Sequence, residues 1–259
     1  MSFDQLINQF YLFAMVFVRI TTMMVVLPIF GSRLTPLQLK IALGGLLSFL
    51  IVPLLPSHHI PESLNLFILF YHITREVLVG LVIGFATTLV FMAFQFAGTI
   101  VGMQMGFGIV NVVDPQSNIQ VSIIGQFLYI IAILVFLSLD GHLFLIKALV
   151  HSFQVIPLNQ AVFTGKLVQK IISMTAEVFV IAIKIGIPAI AALLLTSVAL
   201  GVIARTVPQM NVFIVGFPLN IGLGLFTLAT SLPIVIYLFR KLLIVFEHDI
   251  ITIIKLMPG

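Results

Sequence analysis

The 259-residue sequence contains no cysteine and no tryptophan, and only 8% of its residues are charged. The absence of cysteine excludes disulfides, thiolate catalysis and cysteine metal sites. Ordinary soluble domains carry about 25% charged residues, whereas 61% of this chain is hydrophobic. A water-soluble chain of this length needs far more polar surface, so the composition predicts an integral membrane protein.

The chain also lacks the signatures of common enzymes and of nucleic-acid binding. It has no His-Glu-x-x-His zinc motif, no phosphate-binding Gly-x-x-x-x-Gly-Lys-Ser/Thr loop and no Gly-x-Ser-x-Gly nucleophile elbow. The formal net charge of +4 comes from scattered lysine and arginine residues, which argues against a nucleic-acid partner. We therefore predict a protein that is not an enzyme and that has no cofactor, metal or nucleic-acid partner.

Six apolar stretches dominate the sequence. A membrane-spanning helix needs about 20 mainly apolar residues, and these stretches are apolar on all sides, without the alternation of barrel strands. They predict an all-α membrane protein with one domain over residues 1–259. The stretches are Phe10 to Phe30, Leu37 to Leu55, Val77 to Ala97, Ile119 to Leu139, Val168 to Ile203 and Val212 to Phe239.

Two stretches are too long for one simple span. Residues 64–101 could form a single helix if Arg75 and Glu76 are tolerated inside it, and residues 166–203 could form another. We expect long, bent hairpins instead. Proline removes a backbone donor and kinks a helix, and three prolines are expected to act in this way: Pro188, Pro218 and Pro233.

The charges between the apolar stretches give conflicting orientations. Arg33 and Lys40 place the first loop in the cytoplasm. Six later residues favour the opposite assignment: Lys147, Lys166, Lys170, Arg240, Lys241 and Lys255. Two explanations stay open: the hydrophobic helices are not all conventional spans, or partner subunits compensate for a weak topology signal.

Glycines recur at the spacing of helix-packing motifs. Gly80 and Gly84 form one four-residue pair, and Gly98, Gly102 and Gly106 form a longer series. Small residues at this spacing let two helix backbones approach closely. We therefore expect tight helix neighbours at both places.

The tract from Gly102 to Asn118 has an unusual composition. It has too many glycines for a stable helix and too many large apolar side chains for a solvated loop. Methionine has three rotatable bonds, so Met103 and Met105 can fill a space of changing shape. The tract predicts either a deformable hydrophobic seal or a loop packed passively on neighbouring helices.

Two Pro-Gln pairs, Pro115-Gln116 and Pro208-Gln209, each adjoin an asparagine just before an apolar stretch. Proline pre-sets the first helical turn, and polar neighbours cap exposed N–H groups. Structural punctuation explains both pairs. Arg205 adds a charge that is costly in lipid unless it is paired or hydrated.

Several further charges are embedded in apolar sequence, and such charges are functional hypotheses by default. A proton relay through Asp140, His142 and Glu177 is conceivable, but we favour a structural interpretation. Glu177 and Lys184 are seven residues apart, hence on one helical face, and could pair with other subunits. The embedded charges are Arg19, Arg75, Glu76, Asp140, His142, Glu177 and Lys184.

Motifs along essentially the whole chain resemble the FliR family of flagellar type III export, which is shared with the T subunit of virulence type III secretion systems. They are Val113-Asp114-Pro115-Gln116, Leu139-Asp140-Gly141-His142 with Ser152-Phe153 downstream, Ala204-Arg205-Thr206-Val207-Pro208-Gln209-Met210-Asn211-Val212-Phe213, and Gly216-Phe217-Pro218-Leu219. The tract from Arg205 to Asn211 is the most specific of these. Many members carry a second histidine after Asp-Gly-His, where this chain has Leu143, and this departure weakens any histidine-pair mechanism.

The resemblance implies a multi-pass subunit of the bacterial inner membrane, within the flagellar basal body. Long kinked hairpins would pack with FliP and FliQ subunits into a helical hetero-oligomeric export gate, a conduit for unfolded flagellar proteins. Membrane lipid and other type III export apparatus proteins are further partners. The resemblance also divides the chain into a P-like part, about 1–160, and a Q-like part, about 161–259. The alternative is a secondary transporter or channel for a small ion or metabolite, although an inverted repeat is missing.

The resemblance also assigns roles to individual residues. The tract from Met103 to Asn118 corresponds to the family's conduit-closing loop. Within it we select Met103, Met105 and Phe107 for contact with the closed pore, with Gly106 and Gly108 giving mobility. The loop and turn motif comprises Asp114, Pro115 and Gln116. The assembly motif comprises Arg205, Pro208, Gln209 and Asn211.

Overall fold

The computed structural model describes residues 3–31, 35–55, 65–109, 122–207, 209 and 211–258. Within these ranges the chain is built from α-helices, with short 3₁₀ turns at Val52–Leu54 and Phe107–Ile109 and an isolated bridge between Ala161 and Pro258. The helices are α1 Phe3–Val26, α2 Leu37–Ile51, α3 Leu66–Gln104, α4 Ile123–Ser138, α5 Gly141–Val155, α6 Gly165–Thr206 and α7 Val212–Lys255.

Five of the described helices are long and apolar enough to cross a membrane, and α4 with α5 makes a sixth candidate if that bent pair counts as one span. The bend lies at Asp140, whose φ of 56° is left-handed. These findings confirm an all-α membrane protein with about six hydrophobic segments.

The two overlong stretches are single helices rather than hairpins. α3 runs for 39 residues and α6 for 42, and α3 continues through Arg75 and Glu76 without interruption. Glu76 is tolerated because it is paired and buried, as described below. Pro188 lies inside α6, and Pro218 and Pro233 lie inside α7; the kinks predicted at these prolines stay predictions.

Hairpins form between successive helices instead. α3 and α4 are adjacent along the chain and pack together through aromatic rings, since Phe91 lies 5.2 Å from Phe136 between ring centroids. α6 and α7 pack in the same way, with Leu193 and Leu228 in one core. Each of the long helices α3 and α6 therefore forms a hairpin with the helix that follows it in the chain.

The chain divides into two compact units. Unit 1 comprises the described residues within Met1–Leu89, Leu139–Met174 and Ile244–Gly259, and unit 2 those within Val90–Ser138 and Thr175–Leu243. Each unit draws on both halves of the sequence. The P-like and Q-like division stays a prediction, and the α6–α7 hairpin falls within the predicted Q-like part.

Close approach of backbones at glycine occurs in both units. A Cβ atom on Gly80 would lie 2.6 Å from the Arg19 carbonyl oxygen of α1, inside unit 1. In unit 2 a Cβ atom on Gly98 would lie 2.5 Å from the Ile124 carbonyl oxygen of α4. Both contacts leave no room for a side chain, which confirms the packing predicted from the glycine spacing.

Candidate functional site

A fully buried ion pair lies in unit 1, where α1, α3 and α5 meet. The Arg19 Nε atom donates to Glu76 Oε2 over 2.6 Å, and both side chains are 0% exposed. Arg19 Nη1 also donates to Ser152 Oγ at 3.4 Å and to the Ile156 carbonyl oxygen at 3.2 Å. The guanidinium lies 4.3 Å from the centre of the Phe153 ring. One arginine thus connects three helices.

The ion pair continues into a hydrogen-bond network around Asn159. Its backbone N–H donates to Glu76 Oε1 at 2.9 Å, and its carbonyl oxygen accepts from Arg75 Nη1 at 2.5 Å. The Asn159 side-chain amide donates to Tyr11 Oη at 2.7 Å, and Tyr11 Oη lies 2.6 Å from His72 Nδ1. Because both oxygens of Glu76 accept hydrogen bonds, its buried charge is satisfied.

The sequence showed only part of this network. Arg19, Arg75 and Glu76 stand out as charges in apolar stretches, whereas Tyr11 and Asn159 carry no local signal. Since the structure gives Arg75 and Glu76 partners inside the chain, it supports the structural interpretation of these two charges.

The remaining embedded charges lie apart from this network. Asp140 is exposed before α5 and makes no side-chain capping bond. His142 is partly buried, and its Nδ1 atom has no hydrogen-bond partner within the described residues. Glu177 and Lys184 are exposed on α6. Asp140 and His142 belong to unit 1 and Glu177 to unit 2, so the proton relay stays an untested alternative.

The end of α3 differs from the loop expected there. The glycine-rich composition predicted that residues from Gly102 onward are not helical, but α3 continues to Gln104 and a 3₁₀ turn follows at Phe107–Ile109. Packing explains the difference, because Gly102 is buried against Ser122. The turn motif Asp114, Pro115 and Gln116 lies outside the described residues.

The two methionines predicted to seal the conduit occupy different environments. Met105 is fully buried, whereas Met103 is 57% exposed. Phe107 is partly buried against the core that holds Met105. The buried members of this core in unit 2 are Val101, Met105, Ile124, Ala189, Leu193 and Leu228.

Two glycines shape this region of unit 2. Gly106 has a φ of +98°, and a Cβ atom there would lie 2.7 Å from the Phe217 ring. Gly224 faces Met105, because its Cβ would lie 2.6 Å from the methionine Cγ. Gly106 is thus required by its conformation and by the ring beside it. Among the described residues beyond its chain neighbours, only Met103 has an atom within 4 Å of a Cβ built on Gly108, at 3.9 Å.

The predicted assembly motif lies at the connection between α6 and α7. Arg205 is exposed in the last turn of α6, and Gln209 and Asn211 are exposed after it. Pro208 lies outside the described residues. Among the ion pairs of the described part of the chain, none includes Arg205. The motif therefore presents its polar side chains away from the chain's own core.

The matched family is that of bacterial export proteins, family 1, whose model covers residues 10–244. The chain belongs to this family. The matched residues of this chain span the buried ion pair of unit 1, the end of α3 and the α6–α7 connection.

Relatives match over most of their length. The chain is 36% identical to the flagellar biosynthetic protein FliR of Bacillus subtilis (strain 168) over 245 residues, which cover 92% of each chain. It is 30% identical to the protein of the same name from Escherichia coli (strain K12), over 84% of this chain and 82% of the relative. The Aquifex aeolicus (strain VF5) protein is 31% identical over 84% and 83%.

Proposed function

We propose that this chain is a structural and gating subunit of the flagellar type III protein export gate and forms part of the conduit for unfolded flagellar proteins. The supporting observation is its similarity to FliR proteins over nearly the full length of both chains. We further propose that it lies in the bacterial inner membrane within the flagellar basal body, assembles with FliP and FliQ, and has no catalytic activity of its own.

The lengths of the helices support an assembled subunit. α6 and α7 have 42 and 44 residues, so each is roughly 60 Å long at 1.5 Å per residue. That is about twice the hydrocarbon thickness of a bilayer. Exposed apolar side chains extend along both helices, for example Val168 and Val202 on α6. Since lipid cannot cover this whole length, neighbouring protein helices must cover the rest.

Deleting the gene tests the proposed function directly. We expect flagellar filament proteins to disappear from the growth medium and motility to be lost, with both restored by the intact gene on a plasmid. Normal flagellation without the gene would contradict the proposal. The three relatives described above are named for flagellar biosynthesis and give the transporter alternative no support.

For the gating role, the structure favours Met103 over Met105. Met105 fills the chain's own core, whereas Met103 has an exposed and flexible side chain. A narrow passage lined by such apolar side chains excludes water and ions. Met103 is therefore the residue that we propose for closing the conduit, together with the exposed part of Phe107.

The matched comparison is Met103→Ser against Met92→Ser. Both methionines are exposed on α3, at 57% and 45%, so the two changes remove similar apolar surface. We expect Met103→Ser to raise ion conductance of the reconstituted complex and Met92→Ser to leave it unchanged. Equal conductance in both variants would contradict the seal.

For the assembly motif, the test is Arg205→Ala against Lys166→Ala. Both residues are exposed cations, at opposite ends of α6. We expect Arg205→Ala to lower recovery of FliP and FliQ with the tagged chain, and Lys166→Ala to leave recovery unchanged. Unchanged recovery and secretion in Arg205→Ala would remove the proposed role.

A further inference from the structure

The exposed side of α6 carries two charges on an apolar surface. Glu177 and Lys184 are both exposed. The apolar residues that share this side are exposed to similar extents: Val180 50%, Ile183 51% and Ile187 52%. Neither charge takes part in an ion pair within the described residues. The surface is thus neither a uniform lipid-facing stripe nor a hydrated polar face.

The two charges lie on the side of α6 that faces away from the core of unit 2. Its core side carries Ala182, Ile185 and Ala189, which are at most 3% exposed. Seven residues separate Glu177 from Lys184, which is nearly two helical turns, so the two side chains project in the same direction about 10 Å apart along the axis. They therefore form one patch.

This patch suits a protein partner better than lipid or water. α6 is long enough to cross a membrane. In its most apolar part, 33% of the helix is buried within the chain, compared with 56% for α3. An unpaired charge facing hydrocarbon is unfavourable, and so is an apolar surface facing water. A partner helix can cover the apolar side chains of α6 with its own apolar side chains and pair Glu177 and Lys184 with residues of opposite charge.

We infer that this face docks a membrane helix of a different polypeptide whose charges match those of α6. If the partner helix is parallel to α6, a basic residue lies beside Glu177 and an acidic residue about seven positions later lies beside Lys184. If it is antiparallel, the acidic residue comes first. The inference rests on the proposed function, because the partner is another subunit of the gate.

A two-fold contact with a second copy of the chain does not fit this face. Copies with one membrane orientation are related by an axis along the membrane normal, which makes equivalent helices parallel. A two-fold contact centred on Val180 therefore places Glu177 against Glu177 and Lys184 against Lys184. Like charges that face each other oppose association. The charge pattern thus selects an unlike partner.

Photo-cross-linking in the intact complex tests the inference. A photoactivatable phenylalanine at Val180 should give one adduct with a different polypeptide. Mass spectrometry of the linked peptide should show a helix with the matching charges about seven residues apart. Glu177→Lys and Lys184→Glu should each lower the yield about tenfold, because they juxtapose like charges, and charge reversal on the partner should restore it. Lys166→Glu is the matched control and should change the yield less than twofold.

Milder variants cover the case in which a charge reversal prevents folding. Glu177→Gln and Lys184→Gln should lower the adduct yield without loss of protein. Because the chain has no cysteine, Val180→Cys provides a unique thiol that should be protected from a water-soluble maleimide in the complex. Full labelling of this thiol, an adduct with a second copy, or capture only by lipid-soluble reagents would each overturn the inference. Normal export in cells that lack the gene would instead overturn the proposed function. It would not contradict an adduct between this chain and a different polypeptide in cells that contain it.

Discussion

The two compact units both have close glycine contacts, but they differ in buried charge. In unit 1 the helices meet around charge: Arg19 and Glu76 are fully buried, and every ion pair of the described residues lies in this unit. In unit 2 the helices meet through glycine and aromatic rings. Gly98 lies against the backbone of α4, and the Phe94 and Phe239 ring centroids are 4.8 Å apart.

The difference predicts how each unit fails. A buried ion pair is vulnerable to removal of one partner, because the other charge is left without compensation in a medium that cannot solvate it. A backbone contact at glycine has no partner to lose, but it has no space for an added atom. The ion pair of unit 1 is therefore sensitive to deletion of a group, and the Gly98 contact of unit 2 to addition of one.

The largest effect is expected for Glu76→Gln. The change keeps the shape of the side chain but leaves the Arg19 charge unpaired, which should lower the free energy of unfolding by about 3–5 kcal/mol. The double variant Arg19→Met with Glu76→Leu should lose much less, because no buried charge remains. Detergent unfolding followed by circular dichroism measures both values. A loss below 1 kcal/mol for Glu76→Gln would show that the pair does not stabilise unit 1.

Gly98→Ala should break the packing of unit 2 with a smaller effect. The added Cβ would meet backbone atoms, the Ile124 oxygen at 2.5 Å and the Gly125 Cα at 2.7 Å. Overpacking of this kind costs about 1–3 kcal/mol. The control is Gly201→Ala on α6, where no atom of the described residues lies within 4 Å of the added Cβ and helix propensity favours alanine by roughly 0.5–1 kcal/mol. Equal stability of the two variants would argue against close packing at Gly98.

Gly224→Ala sharpens the comparison within unit 2. The obstacle there is the Met105 side chain, at 2.6 Å, rather than backbone. Methionine can change its rotamer, so the loss should be about 1 kcal/mol or less. Thermal unfolding of Gly224→Ala beside Gly98→Ala measures the difference, and a larger loss at Gly224 would reverse the expected order.

Asp249→Asn tests an ion pair of unit 1 that is not fully buried. Lys170 Nζ lies 2.6 Å from Asp249 Oδ1, but the lysine side chain is 24% exposed. Partial hydration and screening weaken such a pair, so the loss should be about 0.5 kcal/mol. Unfolding at low and high salt should show that the loss of unfolding free energy caused by Asp249→Asn is smaller at high salt. A loss comparable to that of Glu76→Gln would mean that burial does not govern these pairs.

Composition and spacing predicted much of the fold. The shortage of charge indicated membrane helices, and the interval between Gly80 and Gly84 indicated a close helix neighbour; both predictions are confirmed. The hairpin expected within residues 64–101 is wrong, because α3 is one helix and Glu76 is paired with Arg19, 57 residues away. Local sequence does not show which distant residue satisfies a buried charge.

The candidate site was predictable to a smaller extent for the same reason. Met103 and Met105 lie two residues apart in the same glycine-rich tract, yet only Met105 is part of the core. Their separation by two residues on a helix end points them in different directions. Tertiary packing decides which of the two side chains points toward α6 and α7. Local sequence does not show this packing.

Native mass spectrometry of the tagged chain, purified from membranes of its own host, tests the central claim most directly. The claim is that this chain functions as one subunit of a heteromeric export gate. We expect a particle that contains this chain together with different small hydrophobic subunits, FliP and FliQ among them. A particle that contains only this chain, as a stable monomer or homo-oligomer, would contradict the account.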